Sequence, residues 1–235
     1  MLLFAPSASF TAHPFLHDTL PYKPSDLVPI VRVSNTVIGI SVPADLPITS
    51  VNNLVEMALA KSGELNWAGV TGGLDFLVES WLKKSNIDMK KVPYRNPVDA
   101  ANDLAANRVQ FFQSAYAIAR PQLQAGKIRL LAVTNTVRAP VAPDIPTIRE
   151  AGHPDLEFDG LVGLFGPPFM PMALRDQIAN DIMELIGNDS KIKEQLAITA
   201  QLLNLGGPAE FAMSVDRQRA QIAQAAKKLD TKSAR

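Results

Sequence analysis

What most limits the fold of this chain is the alternation of short, β-branched apolar runs with segments of helical period. Residues 28–33, 37–42, 65–70, 109–113, 128–133 and 161–165 are rich in Val, Ile, Leu and Phe and read as strands. Thr49 is placed to cap a helix that carries Val51, Leu54, Val55, Ala58 and Leu59 on one face and ends at Gly63. Helical spacing also covers 74–84, 115–125 with Gly126 as its stop, 172–186, 191–200 and 208–229, where Pro208 suits a first helical position. Strands that take turns with helices predict parallel sheets covered by helices on both faces, which is the α/β class. Proline-rich crossings flank residues 47–135, the later one holding Pro140, Pro143, Pro146, Pro154, Pro167, Pro168 and Pro171. This punctuation predicts one lobe built from 1–46 and 136–235 and a second lobe inserted as 47–135.

Composition removes several function classes. Lys plus Arg number 23 and Asp plus Glu number 23 in the 235 residues, so no global field exists to gather nucleic acid or anionic lipid. No apolar run approaches the roughly 20 residues that span a bilayer, which predicts no direct membrane insertion. Cysteine is absent, and with it disulfides, thiol catalysis and Cys-based metal sites. Residues 1–9 (MLLFAPSAS) lack a basic opening, and Pro6 interrupts their apolar stretch, so they read as a short buried strand rather than a signal peptide.

No motif supports catalysis. The three histidines are His13, His17 and His153; the first two have helical spacing but no HExxH pattern and no carboxylate partner. No GxSxG elbow is present, and Asp26, Asp88, Asp103 and Asp144 stand in turn-like or helix-edge contexts where carboxylates serve as caps. No catalytic residue, cofactor or metal is therefore assigned. The segment 69–73 (GVTGG) carries more information, because it follows a strand and precedes a helix, where backbone N–H groups and the helix start face an anion. It is neither a P-loop nor GxGxxG, and glycine also serves ordinary turns. Gln113-Ser114-Ala115 repeats the strand–helix junction, and Ser7-Ala8-Ser9 does so in the other lobe. Three polar strand ends together point to a ligand site at the carboxyl ends of strands. Arg95 and the doublets Lys83-Lys84 and Lys90-Lys91 read as solvated charges, and Trp67 and Trp81 as core.

Four strings resemble one family. They are residues 20–30 (LPYKPSDLVPI), 92–95 (VPYR), 125–134 (AGKIRLLAVT) and 143–152 (PDIPTIREAG). The chain is similar to the substrate-binding proteins of tripartite tricarboxylate transporters, the Bug-type receptors, in unbroken order from residue 1 to about 229. The resemblance implies a two-lobed, type II periplasmic-binding-protein-like fold, each lobe a mainly parallel sheet flanked by helices. It also implies a non-enzymatic, periplasmic receptor that captures a small organic carboxylate between its lobes. Such receptors hand the solute to membrane permease subunits; the alternatives are a receptor read by a sensor kinase and a truncated remnant that no longer binds. By position, Ser7, Ala8 and Ser9 fall on a ligand loop of the first lobe, Val70, Thr71, Gly72 and Gly73 on the anion loop of the second, and Ser114 where many members carry aspartate. Asp75 stands where histidine is common, and the glycine loop is shorter than usual. Family members open with a signal peptide and a strand ending in Pro-Gly-Gly; no such string precedes Leu2, so the first lobe is expected to lack its opening part.

Overall fold

The computed structural model describes residues 2–70 and 72–229. The chain forms two compact units, one of Met1–Thr36 with Gly160–Gln224 and one of Val37–Asp159 with Ala225–Arg235. The first unit opens with β1 (Leu3–Pro6), the short helices α1 (Ala8–Thr11) and α2 (His13–Leu16), and β2 (Val28–Thr36). The second holds β3 (Ile38–Pro43), α3 (Val51–Ala60), β4 (Asn66–Gly69), α4 (Gly73–Lys84), β5 (Lys90–Pro93), α5 (Pro97–Ala105), β6 (Phe111–Ala115), α6 (Tyr116–Gln124) and β7 (Ile128–Val133). The chain then returns to the first unit with β8 (Gly160–Gly166), α7 (Met172–Asn188), α8 (Ser190–Ile198), β9 (Gln201–Gly206) and most of α9 (Pro208–Lys228).

Each unit is a sheet with helices, but the strands are less parallel than the alternation predicts. In the first unit the order is β1-β8-β2-β9, and every pairing among the described residues is antiparallel. In the second the order is β5-β4-β6-β3-β7; β4 runs parallel to β5 and β6, whereas β3 runs antiparallel to β6 and β7. The cause is inserted strands. The crossover β6–α6–β7 gives two strands of one direction, as a helical connection must. Arriving straight from β2 with only Val37 between, β3 slots in between that pair and opposes both. In the other sheet β8 lies between β1 and β2 in the same way.

The two compact units divide at 36/37 and 159/160 rather than at 46/47 and 135/136. Residues 37–46 stay with the second unit because β3 is hydrogen-bonded on both edges there. Residues 136–159 stay with it because Thr147 bridges to Val133, and Phe158 N–H donates to Thr134 O at 2.7 Å. Local signals act mostly where the sequence places them. Ser50, not Thr49, caps α3 by accepting from Asn53 N–H at 3.1 Å. Gly126 ends α6 at φ +65°, in the left-handed region that glycine takes without strain. Helix α5 was not expected, yet Asn96 caps it at 3.0 Å and Pro97 occupies its first position. Strand β1 exists but is not buried: Phe4 is 58 % exposed.

Phe10, Leu161, Phe165, Phe211 and Val215 form one core cluster of the first unit, with Phe165 ring centroids 4.5 Å from Phe10 and 5.0 Å from Phe211. A second packs Ile30, Val31 and Val33 of β2 against Ala179 and Ile186 of α7. In the second unit Phe112 is buried among Ala100, Ala101, Leu104 and Ala119 of α5 and α6. Trp67 and Trp81 are both core, as expected. Arg32 sits buried on the central strand β2 and binds the returning chain. Its Nε donates to Asn204 O at 3.0 Å, Nη1 to Ser214 Oγ at 2.7 Å, and Nη2 to Asn204 Oδ1 at 2.9 Å and to Glu210. The guanidinium thus ties β9 and α9 to the sheet.

Arg32→Met should cost about 2–3 kcal/mol in urea unfolding, because several hydrogen bonds from a buried guanidinium to β9 and α9 are lost at once. Glu210→Gln should cost at most about 1 kcal/mol, since that carboxylate is largely exposed. Gly163 tests the sheet itself: a Cβ there would lie 2.4 Å from Val31 O and 2.5 Å from Phe211 Cε1. Gly163→Ala should therefore destabilise by about 1–3 kcal/mol, read in the same unfolding experiment.

Candidate functional site

In the second unit, β4 and β6 are parallel neighbours, with Ala68 opposite Phe112. Their carboxyl ends therefore leave the sheet on the same side, and the residues that follow them are the expected ligand positions. After β4 the chain passes through Val70, Thr71, Gly72 and Gly73 into α4. Thr71 lies outside the described residues. Gly72 is extended, and nothing stands within 4 Å of a Cβ built on it. Gly73 is buried at the first helical position. First-turn N–H groups of a helix have no partner within the helix, so α4 presents donors and the positive end of its dipole beside open space at Gly72.

The loop is held from within by Asp75. Its Oδ1 accepts from Val70 N–H at 3.2 Å, and its own N–H donates to Gly72 O at 3.1 Å. Its Oδ2 pairs with Lys91 Nζ at 2.8 Å, and Lys91 also reaches Glu79 Oε1 at 2.7 Å. The Lys91 ammonium lies 5.1 Å from the Trp67 ring centroid. Burial alone would pull Lys91 down, but hydrogen bonds and charge from Asp75 and Glu79 outweigh it and hold the ammonium above its ordinary value. Lys91 is therefore not the solvated charge that the doublet suggested. Gly69 has a packing reason to lack a side chain, since a Cβ there would meet Lys91 Cε at 2.3 Å and Asp75 Oδ2 at 2.9 Å.

At the end of β6, Ser114 is 4 % exposed, and its hydroxyl has one long contact, 3.4 Å to Ala115 O. Beside it Gln113 is 3 % exposed with both amide atoms buried and unbonded among the described residues. Ser41 Oγ on β3 is in the same state. Buried polar atoms without partners are rare, and both of those on Gln113 lie next to an expected ligand residue, Ser114. Sequence reading placed Gln113 in the same polar strand end as Ser114 but carried only Ser114 into the site; the further signal was a glutamine standing among Phe111, Phe112 and Ser114 on a core strand.

The first unit treats its expected residues differently. Ser7 is buried, and its hydroxyl donates to Gln218 Oε1 at 2.5 Å, which also accepts from Thr11 Oγ1 at 2.9 Å. Ser7 precedes α1 without capping it through its side chain. Ala8 is exposed and Ser9 half-buried. Tyr22 OH donates to Ser9 O at 2.7 Å and lies 3.2 Å from His13 Nδ1. The structure thus brings Val70, Gly72, Gly73 and Ser114 to one end of one sheet, with Ser7, Ala8 and Ser9 on the other unit.

Two concavities lie off these loops. One of about 600 Å³ in the first unit is lined by Phe10, Leu27, Phe165 and Val215, and one of about 420 Å³ in the second by Tyr116, Leu123, Arg129 and Ile145. Neither is lined by an expected ligand residue. The carboxylates read as caps include Asp26, which accepts from Lys23 N–H at 2.8 Å. Asp103 instead holds Tyr94 OH at 2.8 Å and Arg108 at 2.7 Å. Those bonds keep Asp103 below its usual range, while burial and then Asp103 push the Tyr94 phenol up to about 12. Arg95 is exposed. Among the described residues no group of three or more His, Asp or Glu side chains could hold a metal ion, and no helix is long and apolar enough to cross a membrane.

Comparison with known proteins fits this architecture. A UPF0065 protein in the tcbD–tcbE intergenic region of Pseudomonas sp. (strain P51) is 30 % identical over 176 residues, 73 % of this chain and 52 % of that protein. The chain thus spans about half the length of that curated relative. Rpa4515 of R. palustris, solved with adipate, superposes with a TM-score of 0.82 at 23 % identity, covering 97 % of this chain and 77 % of that one. MatC from Rhodopseudomonas palustris, with bound malate, gives 0.75 at 20 % identity, covering 96 % and 78 %. At these identities the solved structures establish the fold, an α/β architecture of the periplasmic-binding-protein kind. The family model for the tripartite tricarboxylate transporter family receptor, TctC, matches residues 2–199, and the chain belongs to that family.

Proposed function

We propose that this chain is a non-catalytic, periplasmic receptor that captures a small organic carboxylate for the membrane permease of a tripartite tricarboxylate-type transporter. One observation carries the reading: the first turn of α4 opens beside unoccupied space at Gly72, at the same sheet end as the buried, under-bonded Ser114 and Gln113. Backbone donors and neutral polar side chains suit a carboxylate. Family membership and the adipate and malate held by proteins of the same fold support that class of ligand. Val70 contributes through loop shape, because its N–H is engaged by Asp75, and Thr71 belongs to the same loop. On the first unit, Ala8 and Ser9 offer the start of α1, while Ser7 acts by position, its hydroxyl being turned onto Gln218. Ser114 gives no charge to an ammonium group, so the ligand is a plain carboxylate rather than a zwitterionic amino acid.

Adipate and malate should raise the melting temperature, with about 2.7 kcal/mol of added stability at 100 times Kd, whereas glutamate should not. A shift with glutamate but neither diacid would overturn the charge argument. Ser114→Ala should weaken diacid binding by about 1–2 kcal/mol in calorimetry, the scale of a hydrogen bond to a charged group. Gly72→Val should leave folding nearly unchanged, because the added side chain meets open space, yet cost at least about tenfold in affinity, or about 1.4 kcal/mol. Full affinity in both variants would move the site elsewhere.

A further inference from the structure

His153 is the half-buried histidine of the second unit, one residue before the 3-10 turn Pro154–Leu156 that packs against α4. Its ring joins three segments. Nδ1 lies 3.4 Å from Trp81 Nε1 of α4, and Nε2 lies 2.9 Å from Asn52 Oδ1 of α3. The indole stands edge-on to the imidazole, with centroids 5.7 Å apart and planes at 87°. Indole N–H only donates, so Nδ1 must carry a bare lone pair. The ring proton is then on Nε2, where it donates to the Asn52 carbonyl oxygen. The Trp81 bond requires the neutral ring; the Asn52 bond does not, because Nε2 carries its proton in both forms.

A second proton would have to go to Nδ1, opposite the Trp81 N–H. Two donors would then face each other, and Trp81, which is 2 % exposed, would lose its acceptor. The ring would have to turn away from Trp81, releasing its hold on α4. The charged groups on the surrounding elements are Glu56 on α3, Lys83 and Lys84 on α4, Asp155 in the turn, and the Arg149–Glu157 pair beside it. Most are engaged: Lys84 Nζ with Asp155 at 2.6 Å, Lys83 Nζ with Lys228 O at 2.9 Å, Arg149 Nε with Glu157 at 2.6 Å, and Glu56 with Asn53 Nδ2 at 3.3 Å. Burial holds His153 below its ordinary value, and Asp155 pulls the other way without reversing it.

We propose that His153 is a proton-operated latch on α4: neutral, it fastens this helix to α3 and the 153–156 turn, and protonated, it lets that face of the helix go. Because α4 begins at Gly72–Gly73, releasing the latch also weakens the carboxylate site. That second half rests on the receptor reading; the latch itself does not. The sign follows from linkage: a histidine kept neutral by the fold contributes fully above the ordinary imidazole value of about 6.5, and its contribution is lost as pH falls below it.

The latch is read first without ligand. His153→Gln keeps an acceptor for Trp81 and a donor for Asn52 but does not titrate, and Trp81→Phe keeps the aromatic ring but removes the donor. In NMR titrations, the His153 ring signal, assigned by its loss in H153Q, should titrate below the ordinary range and move upward in W81F. Tryptophan emission should change with pH below about 6.5 in the wild type and stay flat in H153Q. A His153 signal that ignores W81F, or an H153Q emission profile matching the wild type, would overturn the latch. Coupling to the site is then read with adipate and malate by calorimetry at pH 7.5 and 5.5. The wild type should lose at least about threefold more affinity over this range than H153Q, the variant correcting for titration of the acids themselves. Equal losses would remove the coupling and leave the receptor reading intact. If neither acid binds at any pH, the receptor reading fails and the coupling with it, while emission and ring titration still decide the latch.

Discussion

The Asp75 carboxylate fixes the shape of the β4–α4 junction, and the chemistry at the start of α4 follows from it. A buried carboxylate is costly unless it is bonded and paired. Here it takes the Val70 N–H and the Lys91 ammonium, while its own N–H reaches back to Gly72 O. The loop is thereby tightened from the inside, and Gly72 is left on its open side. Negative charge in the first turn also stabilises the helix through its dipole. Lys91 is as necessary as Asp75, because Asp75 and Glu79 would otherwise set two uncompensated negative charges near a place read as an anion site. The ammonium offsets this, and in the receptor we propose attraction for a guest comes from backbone dipoles.

Glycine at 69 belongs to the same arrangement. The Lys91 stem crosses the position a side chain would occupy, and that path carries the ammonium from β5 over Trp67 to the helix start. One glycine therefore lets an ion pair form beneath the loop, and another, Gly72, leaves space on the loop itself. Their jobs differ although both sit in the same short string.

The sequence made the class of the fold legible because hydrophobic period survives tertiary packing: the strands at 28–33, 37–42, 128–133 and 161–165 and the helices at 74–84 and 115–125 stand close to where the pattern puts them. Strand direction was not legible. The rule that a helical crossover yields parallel strands holds for β6–α6–β7, but nothing local says that β3 will slide between them, since that choice is made by distant pairing. The limits of the units were hidden for the same reason: the prolines after 135 mark a loop, and the Val133–Thr147 bridge and the Phe158–Thr134 bond keep that loop on the second unit. Within the site, GVTGG was visible as a string, whereas Asp75 and Lys91 were not visible as partners, because they stand 16 positions apart with a helix and a turn between them. Ser7 shows the opposite limit: a polar residue after a strand looked available, and Gln218, more than 200 residues later, takes its hydroxyl.

The receptor we propose meets a requirement that an arginine clamp would not. A solute receptor must hold its ligand and then give it up, so the interaction must be selective without being very strong. A hydrogen bond to a charged group contributes about 1.5–3 kcal/mol, and micromolar affinity needs about 8 kcal/mol, so a few such bonds, after ordering costs, are enough. A buried, uncompensated guanidinium would add long-range attraction, but in the empty protein it would be an unpaired charge to keep solvated or neutralised. In the proposed site Ser114 avoids that difficulty because it is neutral. In the receptor we propose, a carboxylate that accepts from the buried Ser114 hydroxyl, whose described contact is a long 3.4 Å, offsets the cost of burying that group. The proposed selectivity has the same source, since a guest that cannot accept hydrogen bonds leaves that hydroxyl as poorly satisfied as before.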